Sequence, residues 1–441
     1  MSYKAIITKV KNIRPMLGAD RLRLATVANN QIIIGTDIEE GTLGVFFPDD
    51  GALSHEFCHE NNLYRHKEYN KNPEAKGGFF EDNRRVKVLK LRGEKSEGFW
   101  CPLEYLSYTG YNLDKLNEGF EFDKLNGFNI CEKYYTPATR KMMKAAGKGN
   151  RVKNKSKKLK LKEMYPDFKE HWDTKQLAYY IDKLPKGILL QISEKVHGTS
   201  GRIGYIKLHK YLNKFQKLWN KYLPIKFQEY EYKYISGSRR VILHNNKEDG
   251  YYKDSDFRSE IHKKIEKIGL NPGETIYFEI CGFTDQGKNI MSPQGIKDKE
   301  LKKLYGDTMV YSYGCDPNEK LNKPKYDIYV YRITRTLDNG SISEVPYYQL
   351  VGRCKELDLK IVPELKEQFI FDGDTKKLLK TCEELAEGPS TIDKSHIREG
   401  IVLRCDYPGM ETNFKLKSFH FKTLEGLIKN DPKYIDMEEI S

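Results

Sequence analysis

Long hydrophobic runs are missing from this sequence. No stretch of about eighteen consecutive apolar residues occurs, so no transmembrane helix is expected. The opening MSYKAIITKV has no apolar h-region, which argues against a secretory leader and for a cytoplasmic chain. Paired cysteine spacings are also absent. The eight cysteines, at 58, 101, 131, 281, 315, 354, 382 and 405, include no C-x-x-C, and several sit inside apolar runs. They read as buried thiols in a reducing compartment, not as a disulfide frame or a zinc site. No G-x-x-x-x-G-K-[ST] phosphate loop is present, and GKGN at 147–150 is only superficially like one.

What is present suffices for two or three globular domains: 441 residues, 38% hydrophobic and 12% aromatic. The formal charge of +13 points to a polyanionic partner, because surface lysine and arginine attract phosphate at long range. Residues 1–128 carry short apolar or alternating runs at Tyr3–Val10, Leu22–Val27, Gln31–Gly35, Leu43–Phe47, Val86–Leu91 and Gly98–Cys101, separated by turn-rich segments. Such spacing predicts a small all-β module of the OB-barrel type. On that module Arg84, Arg85, Lys87, Lys90 and Arg92, with Phe79 and Phe80 nearby, are the candidates for tracking a nucleic acid strand.

Residues 129–165 read as a basic linker, since Arg140–Lys162 holds eleven cations and no acid. It is either an electrostatic arm for RNA or a solvated connector. A second domain is expected over 166–426, with a tail at 427–441. Within it, Tyr165–Leu184 is predicted helical. Tyr211–Tyr232 is an insertion with Leu212, Phe215, Leu218, Trp219 and Tyr222 at helical spacing, expected to pack on the domain. Phe257–Ile268 and Tyr348–Glu356 read as helices. The stretch from Gly282 to Asp307 reads as a long polar loop, and Tyr326–Arg335 begins a strand, Asn-Gly turn and strand.

The chemistry concentrates in a series. Lys195 in QISEKVHGTSGR ends an apolar approach and is followed by Gly198, where backbone can come close to a ligand. An amine delivered there is a nucleophile once it sheds its proton, which a cationic neighbour or a dry pocket favours. Downstream, Arg239, Glu279, Glu399 and the pair Lys415 and Lys417 lie in strand-like apolar runs. Glu399 precedes the wholly apolar Gly400-Ile401-Val402-Leu403, so its carboxylate projects from a buried strand and needs a cation. Lys415 and Lys417 stand two apart and so share one strand face. Each feature alone is weak. A solvated lysine or a structural salt bridge is the blander reading of any one of them.

The ordered set resembles the covalent nucleotidyltransferases, specifically their RNA ligase branch. It reads as Lys195-Val196-His197-Gly198, Ser238-Arg239, Phe278-Glu279-Ile280, Tyr329-Val330-Tyr331, Glu399-Gly400-Ile401-Val402 and Lys415-Leu416-Lys417. The run LAEGPSTIDKSHIREGIVLR is similar to the corresponding stretch of OB-containing RNA ligases of the Deinococcus and Naegleria type. The resemblance implies an α+β chain, in which an N-terminal OB-type barrel precedes a nucleotidyltransferase domain of antiparallel sheets with flanking helices. It implies an ATP-dependent enzyme that joins 3′-hydroxyl and 5′-phosphate RNA ends, at nicks or open ends, through a Lys195–AMP and an RNA-adenylate. Magnesium, or manganese in its place, would sit at Glu399. Glu194 through its backbone, Val196, His197, Gly198, Arg239 (or Arg240), Glu279 and Tyr331 (before Tyr329) would surround the nucleotide, with Lys415 and Lys417 on its phosphate. Arg332 stands where the family usually has an acid. A DNA ligase or mRNA-capping enzyme shares the lysine chemistry but normally carries a barrel after the last lysine motif, for which too little sequence follows Lys417. A decayed, purely RNA-binding relative is disfavoured by the intact lysines and glutamates. A monomer is expected.

Overall fold

The computed structural model describes residues 3–149, 165, 167–171, 174–209, 212–243, 252, 254–337, 339–406 and 413–435. They fall into two units, Met1–Thr136 with Gln176–Lys183 and Lys422–Pro432, and Pro137–Lys175 with Leu184–Phe421 and Lys433–Ser441. No helix among the described residues is long and apolar enough to cross a membrane.

The first unit is a small β-structure built on strand alternation. Leu43–Phe47 pairs with Ala5–Lys9 on one side and Phe99–Pro102 on the other. Val45 and Phe47 face one core with Ile7, Phe57 and Leu106. Phe46, on the opposite face, enters a second core with Val27, Ile32, Ile34 and Trp100. Both faces of that strand are therefore dry, as in a barrel wall packed from outside. A three-stranded sheet, Lys11–Pro15, Leu22–Val27 and Asn30–Gly35, supplies the second core. The expected strands are present at these places, with Lys11–Pro15, Gly51–Leu53 and Glu94–Glu97 in addition.

The segment expected to be helical over 165–184 forms a two-residue strand, a single helical turn at Leu177–Tyr180 and a 3-10 turn at Ile181–Lys183. Leu177 and Ile181 are buried and the Tyr179 ring meets Phe46 at 6.3 Å, so packing on the first unit sets this conformation. Where a linker was expected, Pro137–Gly149 is an α-helix. Residues 150–164, the rest of that basic stretch, lie outside the described residues.

The second unit is built on two large sheets, beside a small pairing of Gln294–Gly295 with Thr308–Met309. In one, Asn413–Lys417, Gly400–Cys405, Leu189–Lys195 and Glu364–Ile370 lie side by side and antiparallel. In the other the order is Tyr230–Gly237, Thr199–His209, Glu274–Gly282, Tyr326–Thr336 and Ile342–Glu344. The chain crosses from the first sheet to the second through Val196-His197-Gly198. Helix Phe257–Ile268 presents Phe257, Ile261 and Ile265, one turn apart, to a core shared with Ile276, Val330 and Leu350. A buried chain of charges ties the sheets together. Glu344 forms ion pairs with Arg332 at 3.0 Å and with Arg404 at 3.3 Å, and Arg404 also pairs with Asp406 at 2.7 Å. The polar stretch 282–307 is more ordered than expected, with a helix at Lys299–Tyr305 capped by Asp298.

Candidate functional site

The crossing between the sheets is where the sequence-predicted residues meet. Lys195 is the last residue of its strand; it lies opposite Gly400, which lies opposite Lys417. The glycine is required, because a Cβ there would come within 2.1 Å of the Leu416 carbonyl. Glu399 is fully buried. Its Oε2 receives Lys195 Nζ at 2.6 Å, and its Oε1 lies 3.2 Å from Lys417 Nζ. His197 Nδ1 is 3.5 Å from the same carboxylate. A carboxylate removed from water costs several kcal/mol unless cations and hydrogen bonds compensate; here one negative charge gathers two ammonium groups and an imidazole. Lys415 stands one row further along, opposite Val402, on the same strand face as Lys417.

His197 is held from three sides. Its ring meets Tyr311 at 4.7 Å and Phe421 at 4.8 Å, and its backbone N–H donates to the Tyr313 hydroxyl at 2.6 Å. Val196 is buried beside it. At Gly198 a Cβ would meet the Ile280 carbonyl at 2.3 Å and Glu279 Cγ at 2.9 Å. Only glycine lets this segment lie against the second sheet.

On that sheet Ser200, Glu279 and Tyr329 share a row, and Ser200 Oγ donates to Glu279 Oε2 at 3.3 Å. Tyr331 falls at a register shift in its strand, and its hydroxyl comes near Glu279 and Ser200. Burial, and then the charge of Glu279, push its hydroxyl well above the ordinary range, while Arg332, Ser200 and Arg239 act the other way. Arg239 is thus close enough to influence Tyr331, and its carbonyl is fixed by Arg202 Nη1 at 2.7 Å. Arg332, which stands where the resemblance leads one to expect an acid, is buried against Glu344 and belongs to the inter-sheet charge chain.

Glu194 differs from expectation. Its backbone N–H is already engaged by the Pro363 carbonyl at 2.8 Å. Its carboxylate is buried, and Oε2 accepts from Thr391 N at 2.8 Å and Thr391 Oγ1 at 2.6 Å. Oε1, equally buried, has no hydrogen-bond partner among the described residues. A buried acceptor without a donor is a vacancy that a ligand's N–H group would satisfy.

Sequence reasoning missed the ring of residues around these. Tyr313, to which the sequence assigned no role, is buried with φ of 49°, a left-handed backbone that a tyrosine adopts only when its surroundings enforce it. The His396 ring meets it edge to face at 4.4 Å. Burial opposes the charge on Asp393, yet hydrogen bonds from Ser312 Oγ and from the backbone N–H groups of Ser395 and Gly314 prevail and hold its carboxyl far below the usual carboxylate range. Thr391, Asp393 and His396 all lie in the run LAEGPSTIDKSHIREGIVLR, so the signal was present, but nothing in it assigned them roles.

The cations singled out in the first unit need correction. Arg85 is buried, stacks over Tyr134 at 5.0 Å and donates to the Gly426 carbonyl at 3.0 Å. Arg84 donates to the Leu53 carbonyl at 3.0 Å, and Lys87 pairs with Glu81 at 2.7 Å. Phe80 is buried while Phe79 is half exposed. Lys90 and Arg92 remain exposed, on the hairpin Val88–Leu91 and Glu94–Glu97.

Among the described residues no group of three or more His, Cys, Asp or Glu side chains could hold a metal ion. A single buried carboxylate flanked by ammonium groups fits an ion that arrives with phosphate and water ligands, not one caged by protein.

The comparisons with known proteins agree with this geometry. A family model described as RNA ligase matches residues 188–423, and one described as an OB-fold domain matches residues 4–103. No curated protein sequence matches the chain. Among solved structures, a mutant of the Naegleria gruberi RNA ligase with ATP and manganese superposes with a TM-score of 0.56 at 16% identity, covering 96% of this chain and 98% of that one. Another mutant of the same protein, with AMP and manganese, gives 0.57 at 16% identity, covering 95% and 98%. At that identity the likeness is one of fold.

Proposed function

Because the chain belongs to the RNA ligase family, whose model spans more than half of it, we propose that it seals RNA 3′-hydroxyl and 5′-phosphate ends with ATP, through adenylate attached to Lys195. The observation that carries this reading is the convergence of Lys195, Lys417 and His197 on the buried carboxylate of Glu399, at the crossing between the two sheets. In the first step Lys195 Nζ bonds to the α-phosphorus, the bond to the β-phosphate oxygen breaks, and pyrophosphate leaves. Glu399, 2.6 Å from that nitrogen, orients the amine. Lys415 and Lys417 face the charge that develops on the phosphoryl oxygens. The adenylate then passes to a 5′-phosphate, and a 3′-hydroxyl displaces AMP. Each step is attack on phosphorus with charge growing on oxygen, so one cationic floor serves all of them.

Glu279 is assigned to the ribose hydroxyls, Arg239 to ribose or phosphate, and Tyr331 to the base by stacking, with Tyr329 beside it. Glu194 is assigned to the base through the unpaired Oε1 of its side chain. Magnesium or manganese, when bound through Glu399 and its own waters, neutralises the phosphates. On the first unit the exposed Lys90 and Arg92 are the remaining RNA contacts of the original set. The protein is taken to act as a monomer in the cytoplasm.

Incubation with α-labelled ATP and magnesium should transfer label to the protein. Lys195→Ala should reduce that transfer by at least about a thousandfold, consistent with loss of a covalent nucleophile. Label retained on the variant would remove the mechanism. A second assay compares nicks differing only in the sugars that flank the break; sealing of all-DNA nicks as efficiently as RNA-containing ones would favour the DNA-joining alternative.

A further inference from the structure

The insertion after the reacting lysine does not pack as its periodicity suggests. Thr199–Gly204 lie between two neighbouring strands, but among the described residues Ile206–His209 pair only with Tyr230–Lys233. The two strands thus run on as a ribbon, and the ribbon carries the helix Lys214–Tyr222. None of that helix is buried. Phe215 is 62% exposed, Leu218 58%, Tyr222 67% and the following Ile225 79%. A helix of about nine residues does not persist alone in water, so local bonds must hold it. Asn213 and Gln216 close a capping box, Trp219 Nε1 donates to the Ile225 carbonyl at 2.8 Å, and Asn220 exchanges hydrogen bonds with Phe227 at 2.9 and 2.6 Å. The apolar face is therefore preformed, and no core of the described residues covers it.

Its charge is one-sided. Lysines stand at 207, 210, 214, 217, 221 and 226, and no acid occurs between Arg202 and Gln228. Rings flanked by ammonium groups suit a polyanion with stackable faces. A basic amphipathic helix also suits an anionic lipid surface, but its position decides between them. The strand that bears it starts at Thr199, four residues after Lys195, with Ser200 bonded to Glu279. Eleven residues at about 3.3 Å each put its base roughly 35 Å along from the site. That is about ten nucleotides of a strand stacked as in a duplex, at one phosphate per about 3.4 Å. A lipid surface has no reason to be tied to that site, whereas an RNA strand whose end is at Lys195 does.

Resting on the RNA ligase reading above, we propose that this ribbon-borne helix grips an unpaired RNA strand about ten nucleotides from the end being joined. Bases stack on Phe215 and Tyr222, and phosphates meet Lys214, Lys217 and Lys221. The test uses the full chain and two variants, Phe215→Ser with Tyr222→Ser, and Lys214→Gln with Lys217→Gln and Lys221→Gln. Both keep the capping box and the hydrogen bonds of Trp219 and Asn220, while Phe215 leaves the Trp219 ring at 5.7 Å and Lys221 the Tyr222 ring at 5.2 Å, so helix content by circular dichroism is measured on each variant beside binding. Binding to 5′-phosphorylated single-stranded RNA of 8 and 20 nucleotides is read by fluorescence anisotropy. For the 20-mer, the ring variant should bind at least about tenfold more weakly. The lysine variant should show a salt dependence shallower by about two in logarithmic slope. The 8-mer should bind all three alike, and lysine labelling by ATP should not change. Equal binding of the 20-mer by all three overturns the proposal. So does loss of binding confined to phosphatidylserine vesicles, which assigns the helix to lipid. If the parent chain joins RNA and the variants bind like it, only the grip falls; if the parent takes up no label and joins no RNA, the ligase reading falls with it.

Discussion

Buried charge occurs in both units, and the access of its cations to water differs. In the first, Lys422 Nζ meets Glu97 Oε2 at 2.7 Å and Lys429 Nζ meets Asp50 Oδ1 at 2.7 Å, with 9% and 4% of the lysine side chains exposed. In the second, Lys195 and Lys417 face the buried carboxylate of Glu399 with 22% and 14% exposed. A lysine shut off from water holds chain segments together. One with an open side can also meet an incoming anion. Reading how open the cation is, not the presence of a salt bridge, separates the two kinds.

The sharpest way to break that distinction is to neutralise one carboxylate of each kind. Glu399→Gln should lower label transfer from ATP by at least about a hundredfold, as loss of a group that orients the nucleophile does. The unfolding midpoint should shift only slightly, because Lys195 and Lys417 are each partly exposed and can turn toward water. Glu97→Gln should do the opposite. With Lys422 largely buried and its main partner gone, a loss of about 3 kcal/mol is expected in urea unfolding. Lysine labelling below the midpoint should remain unchanged. If both variants lose activity and stability in the same proportion, the openness of the cations carries no information about role.

The next effect is smaller and concerns the unpaired Oε1 of Glu194. Adenine offers an N–H₂ group at position 6, where guanine offers an oxygen. A fixed carboxylate oxygen therefore accepts from the first and repels the second. Thr391→Val removes one of the two bonds that hold Oε2 and frees the carboxylate to rotate. Preference for ATP over GTP in the labelling reaction should fall by about tenfold, which is about 1.4 kcal/mol. An unaltered preference would mean that Glu194 does not read the base.

How much of this was legible varied with backbone regularity. Lys195, Glu279, Glu399, Lys415 and Lys417 lie in or beside strands whose apolar alternation marks the polar exceptions, and the structure brings Lys195, Glu399 and Lys417 together. Tyr313 and Thr391 lie in irregular backbone, where no period relates sequence to direction. Arg85 misled for a related reason. The left-handed turn at Arg84, with φ of 52°, resets the alternation, and the next side chain goes inward. The insertion at 211–232 shows the opposite failure: its helical period was right, but an amphipathic pattern says nothing about whether anything covers the apolar face. The first unit also draws in 176–183 and 422–432, a closure between distant segments that linear composition does not encode.

The smallest effect separates the units by acid. Burial holds the His396 imidazole below its ordinary pKa of about 6.5, only partly offset by the Ile397 carbonyl and then by Asp393. As pH falls below about 6.5 the unfolded chain therefore takes up a proton that the folded second unit refuses. Stability there should fall by up to about 1.4 kcal/mol per pH unit until the folded value is reached. Glu97 has the reverse linkage. Burial would raise it, but Lys422 and then Lys95 outweigh burial and hold it below the ordinary glutamate range. Its contribution is complete above about pH 4.3 and is lost only as pH falls from there through the folded value. Hydrogen exchange measured on peptides from each unit between pH 7.5 and about 5 should show protection falling around 312–313 and 390–397 while it holds around 97–101 and 422–429. Parallel loss in both units over that range would mean that the imidazole is not held neutral by its surroundings, and the packing of Tyr311 and Tyr313 against it would need another explanation.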